Sequence, residues 1–336
     1  MNKILKLISS VFIAFLATLS ISKAEVKVVA SIKPIHSLVS YVMDGVGNPD
    51  VIVDGYNSPH GFSLKPSHAK MIENADLIIW VGEDLEAFLE KPLNTISKKA
   101  VNIEIMDLSG IKKLKFREKN IFEGHDDHGH GHKEKKHDDH GHGHKEKKHD
   151  DHGHKKAKHD DHGHDEHAHG EHDPHVWLDP MNAKVIIKEI EKQLVKLDPD
   201  NSSKYKANSK KAQSELDNLT KNIKRDLKEN LRFVVFHDAY QYFENRFGIK
   251  VLGALTVNPD VLPGAEQLSE IREVIEHEKV NCLFSEPQFN PAIIKSIAKD
   301  TKIKTGVLDP LGATLDKGKD MYSKLLQSMY ASFKGC

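Results

Sequence analysis

The sequence predicts an α/β fold built on parallel sheets, and three observations lead to this prediction. Short apolar stretches alternate with helical patterns in roughly the first hundred residues, and the same alternation resumes after residue 230. A long, highly charged stretch with a narrow apolar stripe lies before the second region. Strands that alternate with helices indicate a parallel, doubly wound sheet. The 336 residues are enough for two small domains with cores of their own.

The first region contains the initial strands and helices of this pattern. Buried strands are predicted at Val26–Ser31, Val51–Val53 and Leu77–Val81. Helices are predicted at about Ile35–Met43 and Pro66–Asn74, the second because proline is favoured in the first turn of a helix.

Two helices are predicted between the two regions. One runs from about Met181 to Val195, where apolar residues recur near helical spacing. The other covers Pro199 to Asn230, and its apolar residues form one stripe on a charged helix: Tyr205, Ala212, Leu216, Leu219, Ile223 and Leu227. At a rise of about 1.5 Å per residue it would span about 45 Å, enough to run along two domains.

The region after residue 230 repeats the pattern of the first. Its predicted strands are Phe233–Phe236, Val251–Leu255, Cys282–Ser285 and Thr305–Leu308. Its predicted helices are Glu266–His277, Pro291–Ala298 and Asp320–Phe333. We therefore expect a second sheet of the parallel type.

The first 24 residues have the pattern of a secretory signal. Lys3 and Lys6 precede an apolar stretch from Ile8 to Leu19, and Ser22-Lys23-Ala24 predicts cleavage after Ala24. The alternative is a membrane anchor, but the stretch is short for a span. No cysteine lies near the cleavage site, which disfavours a lipoprotein. We expect a soluble protein of the periplasm, and the net charge of −1 gives no reason to expect nucleic acid as a partner.

The histidines are concentrated in one segment, because 18 of the 23 lie between His125 and His175. The unit His-Asp-Asp-His-Gly-His-Gly-His-Lys-Glu-Lys-Lys starts at His125 and again at His137, and shortened copies follow. Residues 124–172 contain almost no apolar side chain, so burial cannot offset the entropy lost on ordering. We expect a flexible insert here and not a domain.

Three other histidines lie at or near the predicted carboxyl ends of strands, where open α/β sheets bind their ligands. They are His60, His175 and His237, and Asp309 follows another strand. Three imidazoles and one further ligand suit tetrahedral zinc, whereas manganese favours more carboxylates. The alternative for each histidine is a hydrogen-bonded loop residue, and the sequence spacing alone does not decide between the two.

The two cysteines, Cys282 and Cys336, suggest one disulfide in an exported chain. Closing a loop of that length would contribute about 4 kcal/mol in the chain-entropy model. A pair of thiolate metal ligands is the alternative. An oxidising compartment favours the disulfide.

Several short motifs resemble one family. They are Ala30-Ser31-Ile32-Lys33-Pro34 with His36, His60-Gly61-Phe62-Ser63-Leu64-Lys65-Pro66-Ser67, Ala75-Asp76-Leu77, His175-Val176-Trp177-Leu178, Phe236-His237-Asp238-Ala239-Tyr240, Thr256-Val257-Asn258-Pro259, Glu286-Pro287-Gln288-Phe289 and Leu308-Asp309-Pro310-Leu311-Gly312. Over essentially the whole mature chain, these motifs resemble the periplasmic zinc-binding components of high-affinity zinc ABC importers, the ZnuA type of metal-binding solute-binding proteins. A long His-rich insert is typical of the zinc branch of these proteins.

The resemblance implies a two-lobed fold with zinc in the cleft between the lobes. The lobes would be residues 25–198, including the insert, and 231–336, and the rigid helix 199–230 would join them. It also implies a monomer that delivers zinc to a membrane permease.

The resemblance also implies that His60, His175 and His237 are the zinc ligands. The manganese branch has Glu where His237 stands, which favours zinc. Asp309 matches a position that binds the metal in some relatives and lies near it in others. Some relatives have Glu where this chain has Pro59, so the fourth ligand would be water, Asp309 or a histidine of the insert. The pairing of Cys282 with Cys336 also matches the family.

The His-x-His and His-x-x-His spacings of the insert predict a role as a zinc collector or a sensor of zinc sufficiency. A flexible chain can bind several ions with lower affinity than a preformed site, and it raises their local concentration. A solubilising spacer is the alternative. The candidate auxiliary ligands are His125, His128, His130, His132, His137, His140, His142, His144, His149, His152, His154, His159, His162 and His164.

Three rival functions fit parts of the sequence less well. Three histidines with an open fourth position also describe a catalytic zinc in a hydrolase. The sequence has neither a nucleophile elbow nor a His-Glu-x-x-His pair, which argues against a hydrolase. Glu286 is a conceivable general base for such an enzyme. The second rival is a nickel- or copper-binding protein. The third is an adhesin, and the absence of a lipid anchor argues against it. We expect a binding protein and not an enzyme.

Overall fold

The computed structural model describes residues 25–117, 119–121, 170–227, 232–259, 261 and 263–336. The predicted signal and the 14 candidate auxiliary histidines of the insert therefore lie outside the described residues. Within the described part of the chain, no helix is long and apolar enough to cross a membrane.

The first lobe is built on a parallel sheet of four strands. Its elements are β1 (Val28–Ile32), α1 (Lys33–Val42), β2 (Asp50–Val53), α2 (Pro66–Asn74), β3 (Leu77–Trp80), α3 (Glu83–Thr95) and β4 (Val101–Glu104). The strand order is β2-β1-β3-β4, and Ala30 of β1 pairs with Val51 on one side and Ile79 on the other. Both faces are covered by helices, so the central strands β1 and β3 are buried along their whole length.

The second lobe repeats this topology. Its elements are β5 (Arg232–His237), α6 (Gln241–Phe247), β6 (Lys250–Thr256), α7 (Ala265–His277), β7 (Cys282–Ser285), α8 (Ala292–Thr301), β8 (Lys304–Val307) and α9 (Met321–Gly335). The order β6-β5-β7-β8 corresponds strand for strand to the first sheet, and all its pairs are parallel. The prediction of an α/β fold with two parallel sheets is confirmed.

The long helix, α5 (Ser202–Asp226), contacts both lobes. It follows α4 (Pro180–Leu197) after one 3₁₀ turn at Pro199–Asn201. It packs on α1 and α4 of the first lobe and on α9 of the second. Its buried face contains four residues of the predicted stripe, namely Tyr205, Ala212, Leu216 and Ile223. At 25 residues it spans about 37 Å, because an α-helix rises about 1.5 Å per residue.

A second contact between the lobes is made by the loop 309–320, which α1 holds by its polar side chains. The ammonium of Lys33 donates hydrogen bonds to the carbonyls of Gly312 (2.6 Å), Ala313 (3.2 Å) and Leu315 (2.6 Å). The Ser37 hydroxyl donates to the Gly318 carbonyl at 2.7 Å. These bonds fix the segment that carries Asp309 against the first lobe.

The disulfide between Cys282 and Cys336 confirms the predicted pairing. Cys282 begins β7 in the centre of the second sheet, and Cys336 follows α9 at the end of the chain. The bond closes a loop with a sequence separation of 54 residues and joins the last helix to the sheet.

Glu86 makes the stability of the first lobe depend on pH. Its buried carboxylate accepts hydrogen bonds from the amides of Val81 (2.7 Å) and Gly82 (3.3 Å) at the junction of β3 and α3. Burial raises its pKa from 4.5 to about 7, although these hydrogen bonds oppose the shift. The folded protein therefore binds this proton more tightly than the unfolded chain does.

We predict that the stabilisation due to Glu86 is complete below about pH 4.5 and is lost as the pH rises through about 7. In Glu86→Gln, the decrease in unfolding free energy between pH 5 and 8 should be smaller than in the wild type by up to about 3 kcal/mol. Urea unfolding at several pH values measures this, with the exposed Glu90→Gln on the same helix as the control. An unchanged slope in Glu86→Gln would contradict the prediction.

Candidate metal-binding site

The three predicted histidines meet at the carboxyl ends of the two sheets. His60 lies in the loop between β2 and α2, and His237 is the last residue of β5. His175 directly precedes the 3₁₀ turn Val176–Leu178, which leads into α4. Each histidine thus comes from a different segment, and the first lobe and the second both contribute.

The imidazole nitrogens of these residues form one compact group. One ring nitrogen from each of His60, His175 and His237 lies within 4.8 Å of the others. The Nε2 atoms of His175 and His237 are 3.3 Å apart. A regular tetrahedron has an edge 1.63 times its centre-to-corner distance, so zinc–nitrogen bonds of about 2.0–2.1 Å require an edge of about 3.3–3.4 Å. The two nitrogens already have the spacing of two zinc ligands.

Two carboxylates orient these imidazoles. Nδ1 of His175 lies 2.7 Å from Oδ1 of Asp173, and Nδ1 of His237 lies 2.7 Å and 2.8 Å from the two oxygens of Glu286. A carboxylate accepts hydrogen bonds, so each Nδ1 donates its proton and each Nε2 keeps its lone pair. This carboxylate–histidine arrangement fixes the tautomer and raises the basicity of a metal-ligating imidazole.

Burial makes the metal-free site electrostatically unfavourable. His175 and His237 are only 4 % and 3 % exposed. Burial and the neighbouring His237 lower the pKa of His175 well below its usual value. Burial also acts to lower the pKa of His237, but the charge and hydrogen bond of Glu286 outweigh it and raise that pKa. Without a cation, a proton on His237 would separate the two facing lone pairs, and a metal ion would replace that proton.

The histidines enclose a small cavity of about 10 Å³, which has room for one water-sized particle. The apolar side chains of Pro59, Trp177, Phe289 and Leu311 contribute to its walls, and Gln288 is a polar residue of the wall. The Trp177 indole donates to the Pro310 carbonyl at 2.8 Å, which ties the wall of the first lobe to that of the second. The size of the cavity suits a single ion.

A second layer of charge lies behind the histidines. Arg117 donates hydrogen bonds to Asp238 at 3.2 Å and to Glu244 at 3.0 Å. Burial raises the pKa of Asp173, Asp238 and Glu244 to about 7, while the charge of Arg117 opposes the shift in each of them. Arg117 thus partly compensates a cluster of buried carboxylates next to the site.

The fourth predicted ligand, Asp309, lies outside the group formed by the three histidines. Among the described residues the group of potential metal ligands contains only the three histidines. Oδ1 of Asp309 accepts hydrogen bonds from Gln288 Nε2 and from the amides of Leu311 and Gly312. Its role as a fourth ligand stays a prediction.

Two other histidines, His36 and His68, lie outside the histidine group and have structural contacts of their own. His36 lies in α1, and its Nε2 is 3.1 Å from the Pro49 carbonyl. Nδ1 of His68 accepts from the amide of Lys65 at the start of α2. His172, which the sequence placed in the insert, instead pairs with Lys115 in an antiparallel bridge.

Sequence reasoning missed the two orienting carboxylates. Asp173 stands two residues before His175, and this close spacing was the signal that could have found it. Glu286 is 49 residues from His237, and they meet because β5 and β7 are adjacent parallel strands. From the sequence, Glu286 was considered only as a catalytic base.

The fold and the site define the class of two-lobed α/β proteins that hold a small solute between their lobes. The profile of the family described as "Zinc-uptake complex component A periplasmic" matches residues 28–336. The protein named "High-affinity zinc uptake system protein ZnuA" from Brucella abortus (strain 2308) is 47% identical over 331 residues, which are 98% of this chain and 97% of that protein.

Two further comparisons agree with these. The protein of the same name from Haemophilus influenzae is 40% identical over 344 residues, covering 100% of this chain and 99% of the other. A solved structure titled "Crystal structure of ZnuA" superimposes with a TM-score of 0.70 at 22% identity, covering 93% of this chain and 99% of the other. The chain belongs to the ZnuA family of periplasmic zinc-uptake components.

Proposed function

We propose that this protein captures Zn²⁺ in the periplasm and delivers it to the permease of a zinc ABC importer. The observation that carries this proposal is the 3.3 Å separation of the His175 and His237 Nε2 atoms, each with its Nδ1 held by a carboxylate. That spacing is the edge of a zinc tetrahedron. Membership of a zinc-uptake family supports the same function.

The donor set favours zinc over harder cations. Three neutral imidazoles in a small cavity suit zinc, whereas manganese and magnesium favour carboxylate oxygens and higher coordination numbers. Both oxygens of Glu286 contact His237, which supports an orienting role and argues against a catalytic base. We infer that the zinc ion is cargo and not a catalytic cofactor.

The His60 loop is the proposed route for zinc entry and release. His175 and His237 are buried, but His60 is half-buried and lies in a loop between β2 and α2. The long helix α5 and the Lys33 contacts restrain rotation of the lobes, so a local shift of this loop is the smaller change. A zinc-free crystal structure with rotated lobes and an unmoved His60 loop would contradict this route.

The proposed function requires export of the protein to the periplasm. We propose that the signal is cleaved after Ala24 and that the mature protein acts as a monomer with lobes at about 25–198 and 231–336. A strain that lacks the gene should stop growing only under zinc limitation, and added zinc, but not manganese, should restore growth. Growth failure in zinc-replete medium, or equal rescue by manganese, would argue against zinc import.

The insert is proposed to collect zinc near the entrance of the site. It returns to the described fold at Gly170, where a side chain would clash with the carboxylate of Asp84. His172 and Asp84 line a recess that also includes His60 and His175. The end of the insert therefore lies beside the metal site, which supports transfer of collected zinc to it.

Deletion of residues 124–169 tests the collector proposal and preserves the bridge at His172. The variant should keep one tight zinc equivalent and lose the weaker ones, because the imidazoles of the insert bind without a preformed cavity. Competition titration with a chromogenic chelator measures both classes. The control replaces the same residues by a Gly-Ser linker of equal length. An unchanged total zinc stoichiometry would contradict the proposal.

A further inference from the structure

Gln288 lines the metal-binding cavity and has a buried side-chain oxygen that no described residue satisfies. It lies in the turn after β7 and is one of the residues that line the cavity formed by the three histidines. Its Nε2 donates a hydrogen bond to Oδ1 of Asp309 at 2.9 Å. Its Oε1 is buried and has no hydrogen-bond partner among the residues that the structure describes.

The orientation of this amide is determined by its partner. The Asp309 carboxylate only accepts hydrogen bonds, so the NH₂ group of Gln288 must face it and the oxygen must point elsewhere. Leaving a buried acceptor unsatisfied is unfavourable, because its lost hydrogen bonds to water are not replaced. Such exceptions in native proteins call for an explanation, and an ion that supplies the missing partner is one such explanation.

We propose that Oε1 of Gln288 is the fourth donor to the bound zinc and that Asp309 is a positioning residue, which holds the amide in place. This inference rests on the proposed zinc-binding function. Three histidines leave one position of the tetrahedron to fill. The cavity has room for about one water-sized particle, which favours a donor from the wall over an additional water.

Other groups around the cavity are less suitable donors. Pro59 has no donor atom in its side chain, and both oxygens of Glu286 contact His237. Oδ1 of Asp309 already accepts three hydrogen bonds, from Gln288, Leu311 and Gly312. Its second oxygen, Oδ2, is buried without a partner in the described part of the chain and is the direct rival of the Gln288 oxygen.

An amide oxygen gives the site a distinct chemistry. It is neutral and a weaker donor than a carboxylate, so the four donors neutralise none of the ion's charge directly. Asp173 and Glu286 compensate that charge from behind the imidazoles. A neutral set of donors that is rich in nitrogen discriminates against manganese. The bond between zinc and the amide oxygen is the weakest of the four and breaks easily when zinc is released.

The proposal is tested with Gln288→Leu and Asp309→Asn, and the exposed Gln327→Leu on α9 is the matched control. Zinc affinity is measured by chelator competition. The visible absorption of the Co²⁺-loaded protein reports coordination geometry and donor type, which a merely structural role would not change. Melting of the metal-free proteins identifies any loss of folding.

Gln288→Leu should lose at least about 10- to 100-fold in zinc affinity, the range known for outer partners of metal ligands, and should alter the cobalt spectrum. Asp309→Asn keeps an oxygen for the Leu311 and Gly312 amides and should change the affinity less than Gln288→Leu does. A wild-type affinity and cobalt spectrum in Gln288→Leu, with large losses in Asp309→Asn, would overturn the proposal. A wild-type protein that binds neither ion would instead refute the proposed function.

Discussion

His237→Ala should abolish the tight zinc equivalent. The substitution removes one of three imidazoles and leaves the buried Glu286 carboxylate without its imidazole partner. The loss in affinity should exceed the roughly 10- to 100-fold that follows removal of an outer hydrogen-bond partner, because a direct ligand disappears. Competition titration of the insert-deleted protein measures this effect without the weaker sites.

The matched control for this prediction is His277→Ala. His277 is exposed at the end of α7 and lies outside the histidine group, so its loss should leave the tight equivalent unchanged. Melting of the metal-free proteins separates loss of ligand from loss of folding. Equal zinc affinity in His237→Ala and wild type would place the tight site elsewhere.

Loss of the disulfide should cause a large decrease in stability. Cys336→Ser breaks the bond at its partly exposed end and leaves Cys282 as a small buried apolar residue. The chain-entropy model gives about 4 kcal/mol for a loop of this length. Denaturant unfolding of the oxidised wild type and the variant measures the difference in unfolding free energy.

Wild-type protein treated with a thiol reductant is the internal reference for this prediction. It should unfold at the same denaturant concentration as Cys336→Ser, because both lack the same covalent bond. The zinc affinity of the folded variant should stay at the wild-type value, since the disulfide lies at the start of β7, whereas His237 lies at the end of the parallel strand β5. Equal stability of the oxidised protein and the variant would show that α9 is held by packing alone.

Strong local signals explain which elements could be predicted. Pro66 marks the start of α2, and the prediction of Pro66–Asn74 is confirmed to the residue. The strand Cys282–Ser285 was also correct, because it is short, apolar and followed by a proline turn. The α5 stripe was visible because one face of a charged helix is buried.

Weak or conflicting signals explain the elements that were missed. The helix α3 contains Pro92, and Glu86 within it has non-helical backbone angles, so its periodicity is interrupted. The edge strand β4 is mostly exposed, with only Ile103 buried, and therefore lacks an apolar run. The predicted helix to Asn230 ends at Asp226 in the structure.

The candidate site was predictable only in part. The positions of His60, His175 and His237 near strand ends were readable, and the structure brings all three together. The partners of their imidazoles and the Gln288–Asp309 hydrogen bond depend on which strands are adjacent. Pairing of β5 with β7 and of β7 with β8 creates these contacts, and no local pattern in the sequence encodes them.

Anomalous diffraction at the zinc absorption edge, from crystals of the zinc-loaded protein, tests the central claim most directly. We predict that the strongest peak lies among His60, His175 and His237, at about 2.0–2.1 Å from a nitrogen of each. A strongest peak bound elsewhere, with these three imidazoles free of metal, would contradict the assignment of the site.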